Sequence, residues 1–167
     1  MPPMTSAHVR ASAEAMNRGF PLPPPMRRAL DLAAVAAEAG EVPVGAVVTR
    51  DGEIIAEARN AMRGQVDPTA HAEIVAIRLA ATRLASPRLD GCELWVTLEP
   101  CAMCAAAISL ARIATLNFAA DDPKGGGVLH GARVFAQPTC HHRPEVLSGI
   151  GESEAAEQLQ AFFAARR

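Results

Sequence analysis

Two short stretches of the chain carry side chains that bind metals or move protons. The first is AHAEIVAIR, residues 70–78, in which His71 stands two positions before Glu73. The second is LEPCAMCAAA, residues 98–107, in which Cys101 stands three positions before Cys104. Imidazole and thiolate are ligands that zinc prefers, and a nearby carboxylate is suited to proton transfer. We predict that the two stretches form one zinc site.

Each motif by itself has other interpretations. A lone Cys-x-x-Cys is also typical of a redox disulfide or of ordinary helix residues, and a lone His or Glu at a helix start is usually structural. Pro100 is compatible with the first turn of a helix, where the positive end of the helix dipole favours thiolates. The combination of His-x-Glu with Pro-Cys-x-x-Cys favours the metal, because it is the signature of zinc-dependent nucleobase deaminases.

The spacing of His71 and Glu73 predicts different roles for them. Positions i and i+2 of a helix point roughly 200° apart, so the two side chains would not serve as neighbouring ligands on one helix face. If His71, Cys101 and Cys104 hold the ion, the fourth coordination position stays open, as in catalytic zinc sites. Glu73 is then predicted to transfer protons.

Hydrophobic periodicity predicts the elements that must position these residues. Helices are expected from Met26 to a C-terminal cap at Gly40, over residues 71–84 with Asp67 or Thr69 as N-cap, from Cys101 to about Leu110, and from about Ser153 to Arg167. Strands are expected over residues 42–50, 53–60, 92–98 and 113–120, with a hairpin turn at Asp51-Gly52 and an irregular stretch up to Ile150. This alternation predicts an α/β fold.

Length and composition predict one globular domain. The chain has 167 residues, of which 50% are hydrophobic, and it lacks the ~20 uninterrupted apolar residues of a membrane span. We place the domain at residues 26–167 and expect residues 1–25 to form a flexible, Pro-rich extension. Four cysteines are too few for a disulfide scaffold, so we expect a cytoplasmic protein with no disulfide partner. A net charge of −2 argues against binding nucleic acid through bulk charge.

Five longer stretches resemble the bacterial tRNA-specific adenosine deaminases. They are EVPVGAVV, DPTAHAEIVAIR, VTLEPCAMCAAAIS, DDPKGGG and FFAARR, and the resemblance covers about residues 26–167. It implies a cytidine-deaminase-like fold, with a mixed central sheet of about five strands flanked by helices in three α/β/α layers. It also implies a homodimer that converts the wobble adenosine of an arginine tRNA to inosine, with the anticodon stem-loop as its partner.

The resemblance also implies roles for individual residues. One zinc ion per subunit would be held by His71, Cys101 and Cys104, and the water it activates would attack the amine-bearing ring carbon while Glu73 shuttles protons. The nucleoside would be contacted by Asn60, Ala72 and the main-chain carbonyl of Pro100. Two residues depart from the family pattern: Ala119 stands where glycine is usual, and Ala61 where a bulkier or basic residue is common.

RNA contacts are expected from Lys124, Arg143, Phe162, Arg166 and Arg167. Each has a structural alternative. Lys124 lies in a glycine-rich turn where a solvated charge is common, the two terminal arginines would also compensate a helix dipole, and Phe162 lies on the apolar side of the last helix. The cluster of Cys140, His141 and His142 is expected to be a structural loop, since ligands this close in sequence rarely complete a tetrahedron.

Two other functions fit the same motifs. One is a deaminase of guanine, cytosine or a free nucleoside, which shares the zinc signature. The other is a non-catalytic zinc-binding RNA module, which would need a fourth protein ligand such as Cys92 or Cys140 to close the coordination sphere.

Overall fold

A computed structural model describes residues 21–167 of the chain, which form one α/β domain. The helices are α1 (Pro24–Glu38), α2 (Ala72–Leu84), α3 (Ala102–Ala111) and α4 (Glu152–Ala164). The strands are β1 (Gly45–Arg50), β2 (Glu53–Arg59), β3 (Cys92–Leu98), β4 (Thr115–Ala120) and β5 (Glu145–Ser148). A short 3₁₀ turn covers Val134–Ala136. Within residues 21–167, no helix combines the length and apolarity needed to cross a membrane.

The five strands form one mixed sheet in the order β2-β1-β3-β4-β5. β1 is antiparallel to β2 and to β3, whereas β3, β4 and β5 run parallel to one another. Asp51 and Gly52 both have positive φ, at 52° and 80°, as a type I′ hairpin turn requires. In the parallel part, Leu98 pairs with Ala120, so the segments that follow β3 and β4 leave the same edge of the sheet. This edge carries the functional site.

Helices cover both faces of the sheet and complete three layers. One face packs against α2 and α3 through a core that includes Val48, Leu94, Ile108, Leu116 and Phe118. The other packs against α1 and α4 through Met26, Leu30, Val47, Trp95 and Ile150. Neighbouring strand residues such as Val47 and Val48 point to opposite faces, as the pleat of a strand dictates. The predicted three-layer α/β/α fold with a five-stranded mixed sheet is confirmed.

Several predicted boundaries were wrong by one to three residues, and one strand was missed. α1 begins at Pro24 rather than Met26, and α4 ends at Ala164 rather than Arg167. His71 itself, not Asp67 or Thr69, occupies the N-cap position of α2, because Asp67 and Thr69 form a local turn instead. Residues 145–148, predicted to be irregular, form the edge strand β5. The proposed extension lies mostly in residues 1–20, outside the described part of the chain.

Candidate metal centre and active site

His71 and Cys101 occupy equivalent positions in the fold. Each is the N-cap residue of a helix, His71 before α2 and Cys101 before α3, and each has an extended backbone with φ of −68°. Neither side chain caps its own helix, so both remain available to a ligand. Cys104 lies in the first turn of α3 and is buried. Because α2 and α3 pack on the same face of the sheet, their N-terminal ends bring the three side chains together.

The distances between the three side chains fit a tetrahedral zinc ion. The Nδ1 atom of His71 lies 3.6 Å from the Sγ atom of Cys101 and 3.5 Å from that of Cys104, and all three atoms lie within 4.8 Å of one another. Typical zinc–nitrogen and zinc–sulfur bond lengths, at a tetrahedral angle, would separate N and S by about 3.6 Å. Among residues 21–167, this is the one cluster of three or more such ligand groups. The donor set therefore fits zinc with a fourth position left open.

The pKa values of the two cysteines are shifted in opposite directions. A hydrogen bond from Cys104, assisted by one from His71, lowers the pKa of Cys101 to about 4. Donation of this hydrogen bond to Cys101, together with burial, raises the pKa of Cys104. The hydrogen bond to Cys101 also raises the pKa of His71. Cysteine binds zinc as the thiolate, so metal binding here would release the proton that the raised pKa of Cys104 favours.

Glu73 is buried beside the three ligands but does not belong to their cluster. It lies in the first turn of α2 and is 4% exposed. Burial raises the pKa of its carboxyl to about 7, and its side chain also interacts with His71 and with the thiol of Cys104. A carboxyl that titrates near neutral pH can both accept and return a proton, which is the property a general acid and base needs. The geometry thus supports the separation of roles expected for His71 and Glu73.

The three residues expected to contact the nucleoside lie around this cluster. Asn60 is buried after the end of β2, and its Nδ2 atom donates to Oε2 of Glu41 over 3.3 Å. The N–H of Ala61 donates to the carbonyl of Ala70, which holds this segment beside the residue that precedes His71. Ala72 is the first residue of α2 and is buried, and the carbonyl of Pro100, just before Cys101, accepts the N–H of Gly127 over 2.8 Å.

Three of the five residues expected to contact RNA line one groove. Lys124, Arg166 and Arg167, together with Phe163, border an open groove of about 810 Å³ between the segment after β4 and the end of α4. We call it the basic groove, although Asp121 and Asp122 also line it. Its position beside the segments that follow β3 and β4 places it on the edge of the sheet that carries the metal ligands.

The other two residues lie differently. Arg143 is not among the groove residues, and its guanidinium donates to the carbonyls of Phe135 and Gln137. Phe162 is 7% exposed, and the guanidinium of Arg166 lies 3.5 Å above its ring centroid. Its neighbour Phe163 is 49% exposed and lines the groove. RNA contact stays a prediction for all five residues, and Arg143 and Phe162 also have the structural roles just described.

The second cluster of metal-binding residue types is a hydrogen-bonded loop. Cys140 is buried beside the Oγ atom of Ser109, and that hydroxyl donates to the carbonyl of His142. The Nε2 atom of His142 lies 2.6 Å from the carbonyl oxygen of Ile113. Neither Cys140 nor Cys92, which is buried at the start of β3, belongs to the ligand cluster. The hydrogen bonds to Ser109 and Ile113 hold residues 140–142 against the C-terminal end of α3.

The sequence analysis missed two buried carboxylates next to the site, Glu41 and Glu99. Glu41 accepts hydrogen bonds from Asn60 and from the N–H groups of Arg63 and Gly64. Glu99 follows β3 directly; burial acts to raise its pKa, but hydrogen bonds such as that from the N–H of Asp122 hold the pKa below its usual value. For Glu99 a signal was available in the sequence: a charged residue stands between an apolar strand and Pro100-Cys101, where burial is expected, and a buried charge needs hydrogen-bond partners.

Comparisons with known proteins agree with this geometry. The model of the MafB19-like deaminase family matches residues 24–167. A tRNA-specific adenosine deaminase of Agrobacterium fabrum is 56% identical over 142 residues, which are 85% of this chain and 93% of that protein. A solved structure from studies of A-to-I editing by tRNA:A34 deaminases, also 56% identical, covers 81% of this chain and 98% of its own with a TM-score of 0.80.

A guanine deaminase from Bacillus subtilis shares the fold at greater distance. Its solved structure is 34% identical and superposes with a TM-score of 0.58, covering 85% of this chain and 91% of its own. The fold is thus common to proteins named for the deamination of different purines, so the fold alone does not determine which substrate is used.

Proposed function

The chain belongs to the MafB19-like deaminase family and, within it, to the tRNA-specific adenosine deaminases, and on this premise we propose that it converts adenosine to inosine at the wobble position of tRNA. The observation that carries the proposal is the placement of Glu73, buried beside three ligands that fit an open zinc site. A structural zinc site would instead be closed by four protein ligands.

His71, Cys101 and Cys104 would hold one zinc ion per subunit. When bound, zinc supplies a Lewis acid that makes a water molecule nucleophilic at neutral pH. Within residues 21–167, Cys92 and Cys140 lie outside the ligand cluster, so neither thiol competes with water for the fourth position. This arrangement argues against a purely structural zinc module.

Glu73 moves the protons of the reaction. Its carboxylate accepts a proton from the attacking water and passes it to the adjacent ring nitrogen as the new carbon–oxygen bond forms. A second proton, taken from the added hydroxyl, goes to the exocyclic nitrogen, so that the carbon–nitrogen bond breaks and ammonia leaves. Inosine is the product. The pKa of about 7 allows Glu73 to act in both directions near neutral pH.

Asn60, Ala72 and Pro100 would orient the base. The carbonyl of Pro100 accepts one hydrogen bond from Gly127 and has a second lone pair, which suits an amine donor on the substrate. The side chain of Asn60 is buried and restrained by Glu41, so its amide offers a preorganised polar contact. The burial of Ala72 at the start of α2 leaves little room for a larger residue beside the base.

The basic groove would bind the anticodon stem-loop. Lys124, Arg166 and Arg167 could neutralise phosphates, and the exposed ring of Phe163 could stack on an unpaired base. A base in an anticodon loop is also easier to unstack than one in a duplex. We take the substrate to be an arginine tRNA from the family resemblance, and we place the protein in the cytoplasm, where thiolate ligands stay reduced.

The active form would be a homodimer. Leu110 is 81% exposed and Met103 is 36% exposed on the outer face of α3, beside a shallow pocket of about 380 Å³ formed with residues 134–142. A second copy of the chain would cover this apolar surface.

A guanine deaminase is the second candidate, because a guanine deaminase shares the fold at 34% identity. One experiment separates the two. The purified protein is incubated with total tRNA, which is sequenced for inosine, and in parallel with free guanine, with the Glu73→Gln variant as a control. We expect inosine at the wobble position and no consumption of guanine. Turnover of guanine without tRNA editing would favour the second candidate.

A further inference from the structure

Glu99 has five hydrogen bonds to a single loop and no exposed side-chain surface. Its Oε1 atom accepts the backbone N–H groups of Val128, Leu129 and His130 over 3.2, 2.8 and 3.0 Å. Its Oε2 atom accepts the N–H of Asp122 over 2.9 Å and lies 2.8 Å from Nδ1 of His130. The carboxylate of Glu99 therefore binds residue 122 near the start and residues 128–130 near the end of the segment that follows β4.

We call this segment, residues 121–131, the substrate loop. It begins with Asp121 and Asp122, carries Lys124, and thus forms one wall of the basic groove. Within it, Oδ1 of Asp122 accepts the N–H groups of Lys124 and Gly125. The position of Lys124 is therefore set through Asp122, whose own N–H is held by Glu99.

The substrate loop also lies against the turn that bears Cys101. A Cβ atom added to Gly126 would lie 2.5 Å from the carboxyl carbon of Glu99, and one added to Gly127 would lie 2.5 Å from the backbone nitrogen of Ala102. The N–H of Gly127 donates to the carbonyl of Pro100. The loop is thus in close contact with residues 99–102 along its centre.

We propose that Glu99 is a positioning residue that fixes the substrate loop to the Cys101 turn, and that RNA binding through Lys124 depends on it. The second half of the proposal rests on the proposed function. The first half rests on the hydrogen bonds alone.

The pattern of acceptors makes the proposal testable with an isosteric change. Both carboxylate oxygens of Glu99 accept a backbone N–H, so the amide of a glutamine would direct its NH₂ group at an N–H donor in either orientation. Glu99→Gln therefore preserves the volume of the side chain but removes the hydrogen bonds that one of the two carboxylate oxygens accepts. Glu93→Gln is the matched control, since Glu93 is half-buried near the start of β3 and Glu99 directly follows the other end of that strand.

The first measurement is a double-mutant cycle on affinity for an anticodon stem-loop. We expect Glu99→Gln to weaken binding about fivefold to tenfold with one zinc retained per chain, and Lys124→Ala to have little further effect in that background, because contacts that share a positioning element are not additive. A residue that affects only global stability would leave the effect of Lys124→Ala unchanged. Additive losses, or unchanged binding in Glu99→Gln, would overturn the dependence of Lys124 on Glu99.

The second measurement is amide hydrogen exchange, which needs no RNA. Glu99→Gln should speed exchange of residues 122 and 128–130 at least about tenfold while α2 stays protected, and Glu93→Gln should not. If Glu99→Gln fails to fold, His130→Ala removes one of the five bonds and should speed exchange in the same residues by a smaller factor. Unchanged exchange in the folded variant would overturn the proposal. Wild-type protein that does not bind the stem-loop would contradict the proposed function, and exchange would still decide the role of Glu99.

Discussion

The Nδ1 atom of His71 lies 3.5 Å from the Sγ atom of Cys104, although the two residues are 33 positions apart in the chain. His71 is the N-cap residue of α2 and Cys104 lies in α3, and both helices contact the same face of the sheet. The site therefore exists only when β3 and the two helices are assembled, so metal binding and folding are linked. A metal that binds here would stabilise the folded chain.

Replacing either thiolate ligand should remove the metal. We expect Cys101→Ser and Cys104→Ser to hold well under one zinc per chain, because a serine hydroxyl is a much poorer zinc ligand than a thiolate. Cys140→Ser is the matched control, since Cys140 is also buried but lies outside the cluster. Elemental analysis of the purified variants measures the metal content. A full complement of zinc in both ligand variants would contradict the assignment.

Replacing the proton-transfer residue should separate turnover from metal binding. Glu73→Gln keeps the size of the side chain, but its amide cannot accept a proton. Turnover should therefore fall about 10²- to 10⁴-fold while the zinc content stays at one ion per chain. Glu53→Gln, an exposed position on β2, should retain wild-type turnover. Inosine formation in tRNA and elemental analysis provide the two readouts. Loss of zinc in Glu73→Gln would mean that Glu73 is a ligand instead.

Removing a positive charge from the basic groove should change the salt dependence of RNA binding. Arg167→Ala should lower the magnitude of the slope of log affinity against log salt concentration by about 0.7, as expected for one lost phosphate contact on a single strand. We choose Arg167 because Arg166 also packs on Phe162 and would affect stability.

Arg50→Ala is the control for this measurement. Arg50 pairs with Cys92 at the other end of β3, far from the metal-bearing edge of the sheet, and its loss removes the same charge. Titrations of a labelled stem-loop at several salt concentrations give both slopes. Equal slopes for the two variants would show that Arg167 makes no phosphate contact.

A charge on the outer face of α3 should separate the dimer. Leu110→Asp would place a carboxylate in the apolar interface, where burying an unpaired charge is costly, so the protein should have the mass of one chain at micromolar concentration. Val35→Asp, at a partly exposed position on α1 in the opposite layer, should leave the dimer intact. Light scattering coupled to size-exclusion chromatography measures both masses. A wild-type protein with the mass of one chain would contradict the dimer itself.

Local sequence patterns were sufficient to predict most of the fold. The β-branched runs of β1 and β3, the Asp51-Gly52 turn and the spacing of Cys101 and Cys104 are short-range signals, and each indicates its element without knowledge of the rest of the chain. Strand β5 was missed because its four residues follow a proline and contain little alternation. The short strand is held mainly by its pairing with β4, which no local pattern reveals.

Long-range contacts explain why parts of the site could not be predicted. The partners of Glu99 lie 23 to 31 positions away, so only the assembled sheet shows that its carboxylate is fully bonded. The choice between Phe162 and Phe163 is a second example. Adjacent helix residues point about 100° apart, and the packing of α4 on the sheet decides which ring is buried and which faces the groove.

The contacts of the substrate loop limit how this enzyme can diversify. At Gly126 and Gly127 a methyl group would overlap Glu99 or the backbone of Ala102. At Gly125 it would mainly meet the carboxylate end of the Asp122 side chain, which can move only by weakening its hydrogen bonds to the N–H groups of Lys124 and Gly125. A mutant library aimed at new substrates should therefore vary position 124 and keep 126 and 127 fixed. Evolutionary change is expected to follow the same division, with Gly126 and Gly127 retained and the groove side chain at position 124 changing only together with the RNA that is bound.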